Sequence, residues 1–135
     1  MQQQGQYPDA FYRVSIKALI TNDNGQVFVV REHDDWTLPG GGLDHGEDLM
    51  TAFKRELYKE TLIIADFEAS FLNAESFYVT SKDAMALWMI YKIKIADPQF
   101  TFWVGEDADE VAFRNPRDFK DSESLFGQFI FKYGT

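Results

Sequence analysis

No cysteine occurs in the chain. Disulfides, thiolate metal sites and cysteine nucleophiles are therefore excluded, and a reducing compartment, the cytoplasm, is the expected location. Positive charge is scarce: 13 Lys and Arg stand against 22 Asp and Glu, a net charge of −9 with histidines neutral, and the pI is about 4.6. Gripping a nucleic-acid duplex by its phosphates needs a basic patch, and so does holding an anionic membrane surface, so neither is an expected partner. Long apolar runs are missing too; nothing approaches the roughly 18–20 residues of a membrane span. The opening MQQQGQYPDA has neither a basic region nor an apolar stretch. It does not read as a secretory signal, and residues 1–10 are expected to form a loose tail. With only two histidines, His33 and His45, a zinc site has little to build on. There is no G-x-S-x-G elbow for a serine nucleophile, and the glycine-rich stretch lacks the G-K-[ST] of a phosphate-binding P-loop.

What is present is enough for one core. The chain has 135 residues, 45% of them hydrophobic and 16% aromatic, including thirteen Phe. That length suits one domain, expected over residues 11–135. The aromatics predict a large aromatic core, with one or two rings left to stack on a ligand. Val14, Ile16, Ala18 and Ile20 alternate with Arg13, Ser15 and Lys17, the pattern of a half-buried strand. Asn24-Gly25 marks a tight turn, and residues 26–31 read as the return strand of a hairpin. After a glycine-rich loop over 33–44, a helix is expected from about Asp48 to Glu60. Leu49, Phe53 and Leu57 form its stripe and Asp48 its N-cap. Residues 62–80 contain two apolar runs expected as strands, and Met85–Ile95 is another. An acidic loop follows over 103–110, and a short strand over Glu110–Arg114 is stopped by Asn115-Pro116. A last helix is expected to start near Asp121 or Ser122, burying Leu125, Phe126, Phe129, Ile130 and Tyr133. This order predicts an α/β fold, a mixed sheet with a helix on each side.

Chemistry concentrates in Gly40–Ile63, GGGLDHGEDLMTAFKRELYKETLI. Three consecutive glycines let the backbone approach a ligand or metal closely. On the helix, Glu56 and Glu60 are four residues apart and share a face. Two carboxylates on a rigid face, with a backbone carbonyl nearby, suit a hard, oxygen-seeking cation such as Mg²⁺, which meets its substrate through phosphate oxygens. Arg55 adds a fixed positive fork, and Glu47 at the head of the helix is its natural partner. The bland alternative is a solvated helix face with a surface ion pair between Glu56 and Lys59, worth a few tenths of a kcal/mol.

The spacing of these residues resembles the Nudix box, G-x5-E-x7-R-E-U-x-E-E-x-G-U with U apolar. Gly41, Glu47, Arg55, Glu56, Leu57, Glu60 and Ile63 match seven of its nine defined positions. Five are single-residue identities at fixed spacing, a coincidence on the order of one in a million for a given start. WTLPGGG before the box and EVAFRNP after it also resemble the family's surroundings. The resemblance implies an α/β/α sandwich and a hydrolase that cleaves a diphosphate linkage in a nucleoside diphosphate joined to another group. It implies Mg²⁺ or Mn²⁺ held by Glu56, Glu60 and the carbonyl of Gly40, a nucleotide-type small molecule as substrate, and leaves room for a homodimer. Arg55 and Glu47 would hold loop and helix in register.

Two positions depart from the pattern. Leu62 stands where the family ends its helix with glycine, which costs some strain. Lys59 stands at a usual metal-ligand glutamate. Exchanging a negative for a positive charge about 5 Å from a divalent ion changes the local energy by several kcal/mol at an effective dielectric near 20, softened if the lysine swings away. Lys59 is therefore a candidate for contact with a substrate phosphate. It also opens a second reading, a catalytically weakened or inactive nucleotide-binding or sensor module on the same fold. Among the remaining candidates, Glu106 of the acidic loop would add a carboxylate to the site, and Trp36 or Trp103 would stack on a base.

Overall fold

The structure, a computed structural model, describes residues 11–97 and 99–135; the expected loose tail lies outside the described residues. Along the chain run β1 (Tyr12–Leu19), β2 (Val27–Glu32), β3 (Asp35–Thr37), β4 (Gly40–Gly42) and α1 (Leu49–Thr61). Then come β5 (Phe67–Val79), β6 (Ala84–Ile95), β7 (Glu110–Arg114) and α2 (Leu125–Gly134). One sheet has the order β4-β1-β6-β5, with β1 and β6 parallel and its other pairs antiparallel; the second, β3-β2-β7, is antiparallel.

Alternation along the strands decides the layering. Ile16, Ala18 and Ile20 of the first strand segment, and Phe28 and Val30 of β2, pack with Ala52, Phe53 and Leu57 of α1. The intervening Leu19, Val27 and Val29 pack with Trp88 and Ile90 of β6 and with Phe129 and Ile130 of α2. Successive strand side chains point to opposite faces, so the strands form the middle layer and each helix covers one side. The expected mixed sheet flanked by helices is the fold found. Its core is aromatic, as composition predicted: Phe28 meets Phe102 edge-on with centroids 4.9 Å apart, and Trp88 stacks on Phe126 at 4.8 Å.

Four local expectations change. The turn at Asn22–Gly25 forms, and Thr21 bridges Val27, but β1 and β2 then diverge into separate sheets. Both edges of β1 are already paired, one with β4 and the other with β6, so no full hairpin can form. Nor is β1 half-buried. Both faces of its second half are covered, and Lys17 is only 6% exposed. Residues 62–80 hold one long strand, β5, with a register shift between Phe71 and Asn73, rather than two. The last helix starts at Leu125, because Ser124 takes the N-cap and accepts from the Phe126 amide, and Leu125 itself is 39% exposed rather than buried.

Helix α1 follows its sequence signals. Asp48 caps it, accepting from the Thr51 amide at 2.9 Å. Leu62 ends it in the left-handed region at φ 58°, where the family pattern has glycine.

Candidate active site

Helix α1 buries more than its apolar stripe. Glu56 and Glu60 lie on the buried face with Ala52, Phe53 and Leu57. Glu60 is 2% exposed, and its Oε1 accepts the Gly40 amide at 2.6 Å. Burial, reinforced by the neighbouring Glu32, pushes its pKa up to about 10, with Lys17 opposing the rise. Gly40 itself is confined. Its φ is +138°, and a β-carbon there would lie 2.0 Å from the Ile16 carbonyl oxygen; only glycine fits.

Arg55 fastens the loop before the helix to the helix itself. Its Nε and Nη2 donate to the two oxygens of Glu47 at 2.8 and 2.7 Å, its Nη2 also to the Gly42 carbonyl at 3.1 Å, and its Nη1 to Glu56 Oε1 at 2.5 Å. A bidentate fork of this kind fixes geometry as well as charge. The carboxyl of Glu47 is held below its ordinary pKa, mainly by Arg55, and the Arg55 guanidinium is held more firmly protonated, mainly by Glu47.

The acidic loop reaches the site through the free carbonyls at the end of α1. Trp103, Gly105 and Asp107 donate their amides to Thr61, Glu60 and Lys59 at 2.9, 2.8 and 3.2 Å. These are the orphan acceptors that every helix C-terminus leaves. A β-carbon at Gly105 would lie 2.2 Å from the Lys59 carbonyl oxygen, so glycine permits this approach. A cavity of about 460 Å³ results, lined among others by Glu32, Gly40, Glu56, Glu60, Glu106 and Asp109.

Of the residues singled out in the sequence, Gly40, Glu56, Glu60 and Glu106 are brought together at this cavity. Glu47 and Arg55 stand behind it. Lys59 turns to the rim, with Nζ 3.4 Å from Asp107 Oδ2. Trp36 is not brought to the cavity; it packs on the α2 side of the sheets, with the Arg114 guanidinium 5.2 Å from its ring centroid. Trp103 is 70% exposed. Sequence reasoning missed Glu32, at the end of β2, and Lys17. Buried Lys17 donates to the carbonyls of Leu38 at 3.2 Å and Gly40 at 3.4 Å. Burial pulls its pKa below the ordinary lysine value, opposed by Glu60, Glu32 and Glu56. Alternation alone places Lys17 on a solvent face; the signal that corrects it is the register setting Lys17 opposite Gly40.

The residues present fit a hard divalent cation. The donors at the cavity are carboxylate and peptide oxygens. Gly41 leaves open a cradle over Glu56, where a β-carbon would lie 2.5 Å from Oε2. Among the described residues no three acidic or histidine side chains already converge as a cage.

Comparison with known proteins shows the family and the fold. The NUDIX domain family model matches residues 11–126. The chain belongs to that family, whose members generally use divalent metal ions and act on small nucleotide-type molecules. Its fold is similar to that of a MutT NUDIX hydrolase from Burkholderia pseudomallei, with a TM-score of 0.76 at 18% identity over 93% of this chain and 100% of that one. In sequence it is 36% identical over 96 residues to an RNA pyrophosphohydrolase from Rhodopseudomonas palustris strain BisB18, covering 64% of this chain and 47% of the relative. It is 43% identical over 65 residues to another from Nitrobacter winogradskyi, covering 42% of this chain and 38% of the relative. The match thus spans less than half the length of either relative. Among the described residues no helix is long and apolar enough to cross a membrane.

Proposed function

We propose that the chain is a metal-dependent pyrophosphohydrolase that cleaves a diphosphate linkage in a nucleoside diphosphate joined to another group. The observation that carries this is the delivery of Glu56, Glu60 and Gly40 to one acidic cavity, with Arg55 and Glu47 locking the loop beside it. Glu56, Glu60 and the Gly40 carbonyl would hold Mg²⁺ or Mn²⁺, with water and substrate oxygens completing the shell. When bound, such an ion neutralises phosphate charge and lowers the pKa of an attacking water. Glu56, or Glu106 from the loop, accepts the proton that the water gives up. Arg55 is occupied by Glu47, Gly42 and Glu56, so it holds the site in shape rather than gripping substrate. Lys59, released from Asp107, would reach a phosphate at the rim. Residues 11–135 act as one unit, in the cytoplasm.

The relatives are named for RNA. Here the charge of −9 and the acid-lined cavity favour a small nucleotide over an RNA strand. The test is release of phosphate or pyrophosphate from nucleoside triphosphates, sugar nucleotides, dinucleoside polyphosphates and a 5′-triphosphorylated RNA, with Mg²⁺ or Mn²⁺. Turnover of a small nucleotide is expected, with a loss of about a hundredfold in Glu56→Gln. Turnover indifferent to Glu56→Gln would contradict the assignment. Lys59 supports the second reading, a nucleotide-binding module; silence in the parent with activity in Lys59→Glu would establish that one instead.

A further inference from the structure

Lys17 places an ammonium beneath the site proposed to take a metal cation. It is 6% exposed, and its register partner across the β1–β4 pair is Gly40. Its Nζ donates to Leu38 O and Gly40 O at 3.2 and 3.4 Å and lies 4.6 Å from the centroid of the Trp88 ring. Two carbonyls and an aromatic face thus replace its hydration. The carboxylates whose charges act on it are Glu60, Glu32 and Glu56, and all three line the cavity. Gly40 is consequently held from both sides, its amide by Glu60 and its carbonyl by Lys17.

We propose that Lys17 is the site's own resident cation, a positioning residue that holds the Gly40 carbonyl when no divalent ion is present and competes with that ion for it. This rests on the reading that Gly40, Glu56 and Glu60 hold the metal. An ammonium that yields the Gly40 oxygen keeps Leu38 and Trp88 as partners. A buried positive charge beside the ligands lowers the affinity for a second one. A merely structural lysine would behave differently: removing it would loosen Gly40 and leave metal affinity unchanged or weaker.

The experiment is a Mn²⁺ titration of the full chain, read from the electron paramagnetic resonance signal of free Mn²⁺, for the parent, Lys17→Gln and Lys17→Met. Thermal melts are recorded with and without Mn²⁺. The expected result is a Kd about tenfold tighter in both variants, a lower metal-free Tm, and a larger rise in Tm on adding Mn²⁺. Equal or weaker binding by a folded variant overturns the proposal while leaving the metal reading intact. Absence of binding by the parent and by every folded variant overturns both; binding by the variants alone supports the competition most strongly. Should neither variant fold, the Lys17 ammonium resonance of the parent, followed by ¹⁵N NMR during Mg²⁺ titration, decides. It is expected to shift as metal binds, and a resonance unmoved at saturating Mg²⁺ overturns the proposal.

Discussion

Arg55 shows how one side chain sets the site's shape. Its fork spans Glu47, Gly42 and Glu56, so loop, helix and candidate ligand move together. The consequence can be read as pH dependence. Glu47 has a folded pKa below its ordinary 4.5, chiefly because of Arg55. A carboxylate with a depressed folded pKa contributes its full stabilisation above the unfolded value and loses it as pH falls through the folded one. Urea melts of the parent and Glu47→Gln should therefore differ near neutral pH and converge as pH falls below the ordinary carboxylate range. A constant gap would mean that the Arg55 pair contributes nothing through charge. Glu56 and Glu60 were legible in the sequence because helical spacing fixes which residues share a face. Lys17 and Glu32 were not. Lys17 belongs to the site through strand register and Glu32 through where β2 ends, and neither is encoded locally.

At the scale of elements, the acidic loop and α1 form one unit. The loop amides of Trp103, Gly105 and Asp107 take up the last carbonyls of the helix, which brings Glu106 and Asp109 to the cavity. Gly105→Ala places a β-carbon against the Lys59 carbonyl. The expected outcome is a loss of roughly 1–3 kcal/mol in urea unfolding and a fall of roughly tenfold to a hundredfold in turnover as the loop lifts away. Unchanged turnover in the destabilised variant would show that the loop carboxylates play no part. The helix was readable almost residue by residue, since Asp48 and the stripe of Leu49, Phe53 and Leu57 are local signals. The splitting of the expected hairpin was not. It depends on β4 and β6 occupying both edges of β1, a competition between distant segments.

For the whole molecule, charge and cavity pull in opposite directions. A protein at −9 repels an anionic nucleotide, and acidic side chains line its cavity, among them Glu32, Glu56, Glu106, Asp107 and Asp109. A divalent cation held as proposed would resolve the conflict locally, because its charge dominates its surroundings. Lys17 and Lys59 are two cations of the chain itself beside this field, one buried beneath Gly40 and the other on the rim. The most direct test is turnover of the preferred nucleotide after exhaustive chelation, followed by back-titration with Mg²⁺. Activity is expected to vanish with chelation and to return in parallel with Mg²⁺ binding, in the parent and not in Glu56→Gln. Full activity in the chelated protein would contradict metal dependence.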